Sequence, residues 1–152
     1  MKALENLSRL DLSLPEPSTP GGSYVSINIV GIIAYVAIQF PILNEKYLYQ
    51  GRLGKELTTD DGYKAAQLCG LNVLAQIHKH AGFERIKSLN HVNAYFQSVE
   101  GWDDSPLVIN GASDLFLNVL EEAGRHTRAI LGVERLPRNF CVGLTASFTL
   151  KE

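Results

Sequence analysis

Arg128 carries a side chain that could hold a small charged ligand. A guanidinium presents a planar fork of donors that can take a carboxylate through two parallel hydrogen bonds, which suits an amino-acid or keto-acid ligand. The same arginine on a strand edge could instead form a surface ion pair, which contributes little. Arg125, Arg135 and Arg138 lie near it in the chain, with His126 among them. Such a cluster fits an anionic ligand or a solvated basic surface. Asn110, at the start of an apolar-periodic stretch, can hydrogen-bond near a cleft or only satisfy local backbone. Tyr24 reads as a half-buried strand tyrosine.

The remaining reactive side chains lack evident partners. His78, His80, His91 and His126 show no metal-ligand spacing with carboxylates, and His78 and His80, two apart on a helix, face different ways. Solvated or core histidines are expected, and no metal site. Cys69 and Cys141 form no CxxC and have no evident base, so a disulfide scaffold is not expected and both read as inert packing. Gly51-Arg52-Leu53-Gly54-Lys55 ends in lysine but lacks the full Walker spacing, so it reads as a turn. No cofactor is expected.

The elements that must position these residues follow from periodicity. Residues 1–20 read as an extension, with Leu4, Leu7 and Leu10 lining a short helix before Pro15, Pro17 and Pro20 disfavour regular structure. Residues 21–152 read as one domain. Tyr24–Val30 and Ile32–Gln39 are β-branched and aromatic, and Gly31 between them marks a hairpin or a bend. Thr58 with Asp61 signals a helix start and Gly82 its stop, and Ala66, Cys69, Val73, Leu74, Ile77 and Ala81 form its apolar stripe. Arg85–Val99 reads as a strand. Ser105-Pro106 reads as a cap and first residue of a second helix ending at Gly124. Arg128–Val133 and Phe140–Leu150 read as strands. The expected fold is α+β in the order β-β-α-β-α-β-β.

Length and charge bound the function. A chain of 152 residues suits a single core. The formal net charge of −2 and a pI near 6.1 disfavour a protein that neutralises nucleic-acid phosphates. The N-terminal stretch carries Glu5 and Asp11 and does not read as a signal peptide. Residues 27–43 are interrupted by Asn28, Gly31, Gln39 and Pro41 and are not expected to span a membrane. The cytoplasm is the expected location. In the last strand Phe140, Val142, Leu144, Ala146, Phe148 and Leu150 alternate with Cys141, Gly143, Thr145, Ser147 and Thr149. The first set is a core face. The second is small and uncharged, unlike a solvated sheet face. Two helices cover only one side of a sheet, so this face is expected to meet copies of the same chain.

Taken together, Gly22-Ser23-Tyr24, Gln39-Phe40-Pro41, Gly51 and Gly54, Asn110, and Arg128 followed by Val133 and Leu136-Pro137 resemble the RidA family (YjgF, or L-PSP endoribonuclease-like) over about residues 16–150. Within it the chain looks most like a longer branch of obscure function. The resemblance implies a chorismate-mutase-like fold, a homotrimer whose sheets form a central barrel, and ligand clefts between subunits. It implies that Arg128 holds a ligand carboxylate, that Tyr24 walls the pocket, that Asn110 lies near it, and that the backbone of Ile130 contacts ligand. Deaminating members hydrolyse enamine or imine intermediates to a keto acid and ammonia, using a glutamate on the last strand to position water. Gly143 stands in the matching place and supplies no carboxylate for that step. Glu134, which shares strand parity with Arg128, and Tyr24 are the candidates to position water in its place. A binding or regulatory trimer without turnover is the alternative. An endoribonuclease or translation inhibitor is a second one, against which the charge argues.

Overall fold

This computed structural model describes residues 2–152. Helix α1 (Ala3–Arg9) is followed by strands β1 (Ile27–Val30) and β2 (Ile33–Gln39), then a small hairpin of β3 (Ile42–Leu43) and β4 (Lys46–Tyr47). Helix α2 (Thr59–His80), β5 (Ile86–Phe96), α3 (Ser105–Leu120), β6 (Thr127–Gly132) and β7 (Val142–Leu150) complete the chain. The expected β-β-α-β-α-β-β order holds after α1, the short helix expected in the N-terminal extension, with the β3–β4 hairpin added.

Local signals set the ends of these elements. Val30 pairs with Ile33, so Gly31 sits in a tight hairpin and not in a bent single strand. At α2, Asp61 N–H donates to Thr58 Oγ1 (3.0 Å) and Thr58 N–H donates to the Asp61 carboxylate (2.9 Å), a reciprocal capping box. The Thr58 backbone bond, then its side-chain bond, hold the Asp61 carboxyl below its usual range. The expected Ser105 cap is corrected. Asp104 occupies the cap position without capping through its side chain, and Ser105 and Pro106 are the first two helical residues. Asp104 instead accepts from Thr59 Oγ1 (2.9 Å), which ties the start of α3 to the start of α2.

The sheet order is β1-β2-β7-β5-β6, with β5 and β6 parallel and the other pairs antiparallel. A parallel pair needs a crossover, and here α3 supplies it. That connection lays α3 over the β5–β6 edge, which brings the helix close to Arg128. Helices α2 and α3 pack on each other and bury Val73, Leu74, Ile77, Ile109, Phe116 and Val119 against one sheet face.

From Val142 to Leu150 the even positions are buried and Thr145, Ser147 and Thr149 are partly open, as the alternation requires. The alternation fails before Val142. The chain bends at Cys141, which joins Val142 in the core, while Phe140 turns away to stack on Phe40 (4.9 Å between centroids) and meet Tyr47.

The N-terminal stretch docks by a different face from the one expected. Ala3 and Leu7 join the core, and Leu4 and Leu10 are exposed. Asn6 Nδ2 donates to the Val119 carbonyl (3.0 Å), which locks α1 onto the end of α3. Gln76 Nε2 donates to the Ser18 carbonyl (2.9 Å), and Asn72 Nδ2 donates to the carbonyls of Phe40 and Ile42 (3.0 and 2.9 Å). These amides hold irregular segments over α2, so polar residues off the apolar stripe become buried.

Cys69 and Cys141 are both buried and unbridged. Burial raises the Cys69 thiol well above its usual range and pushes Cys141 up to about 12. An unfolded thiol ionises near pH ~8.5, so these sites favour the folded chain below that pH. Their contribution falls as pH rises from there through the raised folded values. Folded protein should therefore resist Ellman's reagent at pH 8 and react only as denaturant unfolds it. Rapid labelling of a fully folded sample would contradict this burial.

The other sheet face carries no helix. Val30 and Tyr35 are 59% and 52% exposed, and the cross-strand row Asn28, Tyr35, Ser147, His91 and Thr127 carries no acid, lysine or arginine. No described helix is long and apolar enough to cross a membrane.

Candidate functional site

Arg128 lies on edge strand β6 in register with Val92, whose side chain is buried beneath the helices, so the guanidinium rises on the same side toward α3. Its Nη1 donates to Asn110 Oδ1 (2.9 Å) and to Ser113 Oγ (3.1 Å). Both acceptors come from one face of α3, where residues three apart are neighbours. Among the described residues no acid forms an ion pair with Arg128; Arg125 pairs with Glu122 and Arg52 with Glu134. One amino group is thus clamped by neutral acceptors. The charge is left uncompensated, which suits an anion at the remaining donor edge.

The contacts extend beyond Arg128. Ser113 Oγ lies 3.0 Å from His126 Nε2, and His126 Nδ1 lies 2.6 Å from the Gly124 carbonyl oxygen. The imidazole also packs edge-on against Phe116 (5.8 Å). Gly124 has to approach α3 closely here, because a Cβ on it would collide with the Phe116 carbonyl. An open cavity of about 390 Å³ is lined by Asn110, Ser113, Asp114, Arg125, His126 and Arg128, together with Leu117. On its rim Tyr63 donates its hydroxyl to Asp114 (2.8 Å), and that bond pushes the Tyr63 phenol up.

Of the residues singled out in the sequence, Arg128 and Asn110 meet directly. Ile130 lies two residues along the same strand face and packs partly buried against the core. Tyr24 does not join them within one chain. It precedes β1 at the opposite edge of the sheet, is 50% exposed, and accepts a hydrogen bond from Gly21 N–H (3.0 Å). Glu134 is also apart, with its side chain 98% exposed beside Arg52 (3.7 Å), and it does not line the cavity. Arg125 lines the cavity, whereas Arg135 and Arg138 do not. Ser113 and Asp114 were not singled out. The signal for them is the spacing of Asn110, Ser113, Asp114 and Leu117 at i, i+3, i+4 and i+7, one stripe of a helix.

Gly143 pairs with Tyr95, which places it on the sheet face opposite Arg128. A Cβ there would lie 2.8 Å from the Phe40 ring and 2.9 Å from Ile38 Cδ1. The position therefore lacks an acid and also lacks room for one. Gly143→Glu should lower the melting temperature by several degrees, since overpacking costs about 1–3 kcal/mol, and should not raise keto-acid release. A variant that melts like the wild type and gains activity would show that Phe40 and Ile38 yield.

A larger cavity of about 530 Å³ lies between residues 16–19 and the β3–β4 hairpin. Glu16 and Glu45 line it with no cation, so it is a poor place for a carboxylate.

A mixed five-stranded sheet with two helices on one face, and a cationic cavity at its parallel edge, defines an α+β protein of chorismate-mutase-like fold. The chain belongs to the YjgF/chorismate mutase-like family, whose model, described as a provisional endoribonuclease, matches residues 5–148. Protein TCP17 of Trypanosoma cruzi is 36% identical over 143 residues, covering 93% of this chain and 89% of that protein. A crystal structure from Shewanella oneidensis MR-1, provisionally labelled an endoribonuclease, superposes with a TM-score of 0.95 at 34% identity, over 97% of this chain and 99% of that one. E. coli TdcF with bound serine shares the fold at 16% identity, with a TM-score of 0.66, over 88% of this chain and 93% of that one.

Proposed function

We propose that this protein binds a small amino or keto acid through Arg128 and hydrolyses reactive imines of that class to a keto acid and ammonia. The observation that carries the reading is the arginine itself. Asn110 and Ser113 fix its orientation through Nη1, no described acid forms an ion pair with it, and it borders an open cavity. Serine bound to E. coli TdcF, a protein of the same fold, is a ligand of this chemical class.

The assembly belongs to the same proposal. The uncharged open face packs against two further copies in a homotrimer, as in the resemblance. With Tyr24 at one sheet edge and Arg128 at the other, such packing would set the Tyr24 edge of one copy beside the Arg128 edge of the next. RNA cleavage, which the relatives' labels raise, finds less support. The chain's net charge is −2, and only Arg125 and Arg128 of the four clustered arginines line the cavity.

The deciding experiment is ammonia and keto-acid release from freshly generated 2-aminoacrylate by wild type and Arg128→Ala. Acceleration that disappears in the variant is expected. Release at the uncatalysed rate by the wild type would remove the catalytic reading and leave a carboxylate-binding protein.

A further inference from the structure

We infer that Ser113 and His126 are the proton-transfer pair of the Arg128 cavity, performing the acid–base step for which Gly143 has no group. The inference rests on the imine-hydrolysis reading above. Its basis is the direction of three consecutive hydrogen bonds. The Gly124 carbonyl can only accept, so the contact at 2.6 Å places a proton on His126 Nδ1. In the neutral ring Nε2 is then bare and accepts at 3.0 Å from Ser113. Arg128 has donors only, so its bond to Ser113 Oγ (3.1 Å) takes a serine lone pair and leaves the hydroxyl proton for His126. The chain runs from Arg128 through Ser113 and His126 to Gly124. It is a hydroxyl next to a base whose far nitrogen is oriented by a third group, the arrangement that moves protons in many hydrolases.

Position supports the role. Ser113 is 9% exposed and His126 is half-buried, yet both line the same cavity as Arg128. Phe116 and the Gly124 carbonyl hold the ring in one orientation. The close approach that forces glycine at 124 is also what brings that carbonyl to the imidazole.

The step balances as follows. Water adds to the carbon of the protonated imine while passing a proton to Ser113 Oγ, and Ser113 passes its own proton to His126 Nε2. The C=N π pair moves to nitrogen, giving a neutral carbinolamine and an imidazolium. His126 then returns the proton through Ser113 to the amine. The C–N bond breaks with its electron pair on nitrogen, and the carbinolamine O–H proton passes through Ser113 to His126 as the C=O bond forms, and from there to the departing ammonia. The sum is protonated imine plus water giving keto acid plus ammonium.

The test compares wild type, His126→Gln, Ser113→Ala and Asp114→Asn on 2-aminoacrylate-derived imine, with melting curves and pyruvate affinity for each. Glutamine can keep a hydrogen bond to Ser113 but cannot cycle a proton. His126→Gln should therefore lose on the order of a hundredfold in kcat, with KM, pyruvate affinity and melting little changed. Ser113→Ala should lose kcat similarly and also raise KM, since it frees Arg128 Nη1. An Arg128-dependent wild type whose His126→Gln form retains kcat would overturn the pair while the hydrolytic reading stands. Loss on Asp114→Asn with none on His126→Gln would assign the step to Asp114. A wild type with no turnover would overturn both. Nitrogen-15 NMR of the full chain gives a check free of activity: Nδ1 of His126 should carry the proton and Nε2 none, and the reverse tautomer would sink the relay.

Discussion

Replacing Arg128 with alanine should weaken pyruvate or serine binding by about 10- to 150-fold, measured by calorimetry or by ligand-induced melting shift. The range follows from about 1.5–3 kcal/mol for a hydrogen bond to a charged group, with every 1.4 kcal/mol a factor of ten. The loss has two parts. The ligand carboxylate loses its counter-charge, and Asn110 Oδ1 and Ser113 Oγ lose a shared donor. Those acceptors border an open cavity where water can replace the guanidinium, so folding should suffer little. Arg128→Lys separates charge from geometry. An ammonium keeps the charge but cannot give one amino group to α3 and present a planar edge to the ligand, so lysine should recover only a minor part of the affinity. Unchanged binding in the alanine variant would place the carboxylate elsewhere.

What the sequence made legible, and what it hid, divides by range of interaction. The Thr58–Asp61 capping box and the alternation from Val142 to Leu150 are local, and both stand in the structure. The assignments that failed depended on distant partners. Phe140 leaves the alternation because Phe40 and Tyr47, about a hundred residues earlier in the chain, offer it an aromatic pocket. The spacing of Leu4, Leu7 and Leu10 marked the short helix α1, yet the face that docks carries Ala3, Asn6 and Leu7, with Asn6 bonded to a backbone carbonyl of α3. At the site, Arg128 was legible by its chemistry. The resemblance set Asn110 near the same pocket, but its hydrogen bond to Arg128 depends on α3 crossing over β6, which nothing local signals. Ser113 stayed hidden for the same reason: a helical serine gains meaning only when the crossover sets it between an arginine and a histidine. Gly143 was read as a missing acid. The packing adds the cause, since Ile38 and Phe40 fill the space where a side chain would go.

The second large effect concerns the open sheet face. On the proposed homotrimer, the wild type should sediment at three times the chain mass of 16.7 kDa and Ser147→Glu at that mass alone, measured by sedimentation velocity or light scattering. Ser147 lies on β7, the middle strand of five, in register with Tyr35 on one side and His91 on the other. No lysine or arginine stands beside it in that row, its titratable neighbour His91 already bonds Thr127 and Asn93, and a threefold assembly would gather three carboxylates at its centre. An uncompensated buried charge costs about 3–5 kcal/mol, and each subunit contributes one. The separated chain can solvate the new carboxylate, because Ser147 is only partly buried within one copy. Its helix-side core should therefore stay folded, with far-ultraviolet dichroism close to that of the wild type. Dissociation should also abolish the ligand-induced melting shift if Tyr24 of a neighbouring copy completes the cavity. A monomeric Ser147→Glu that still binds pyruvate at wild-type affinity would instead show that Arg128, Asn110 and Ser113 form a sufficient site within one chain.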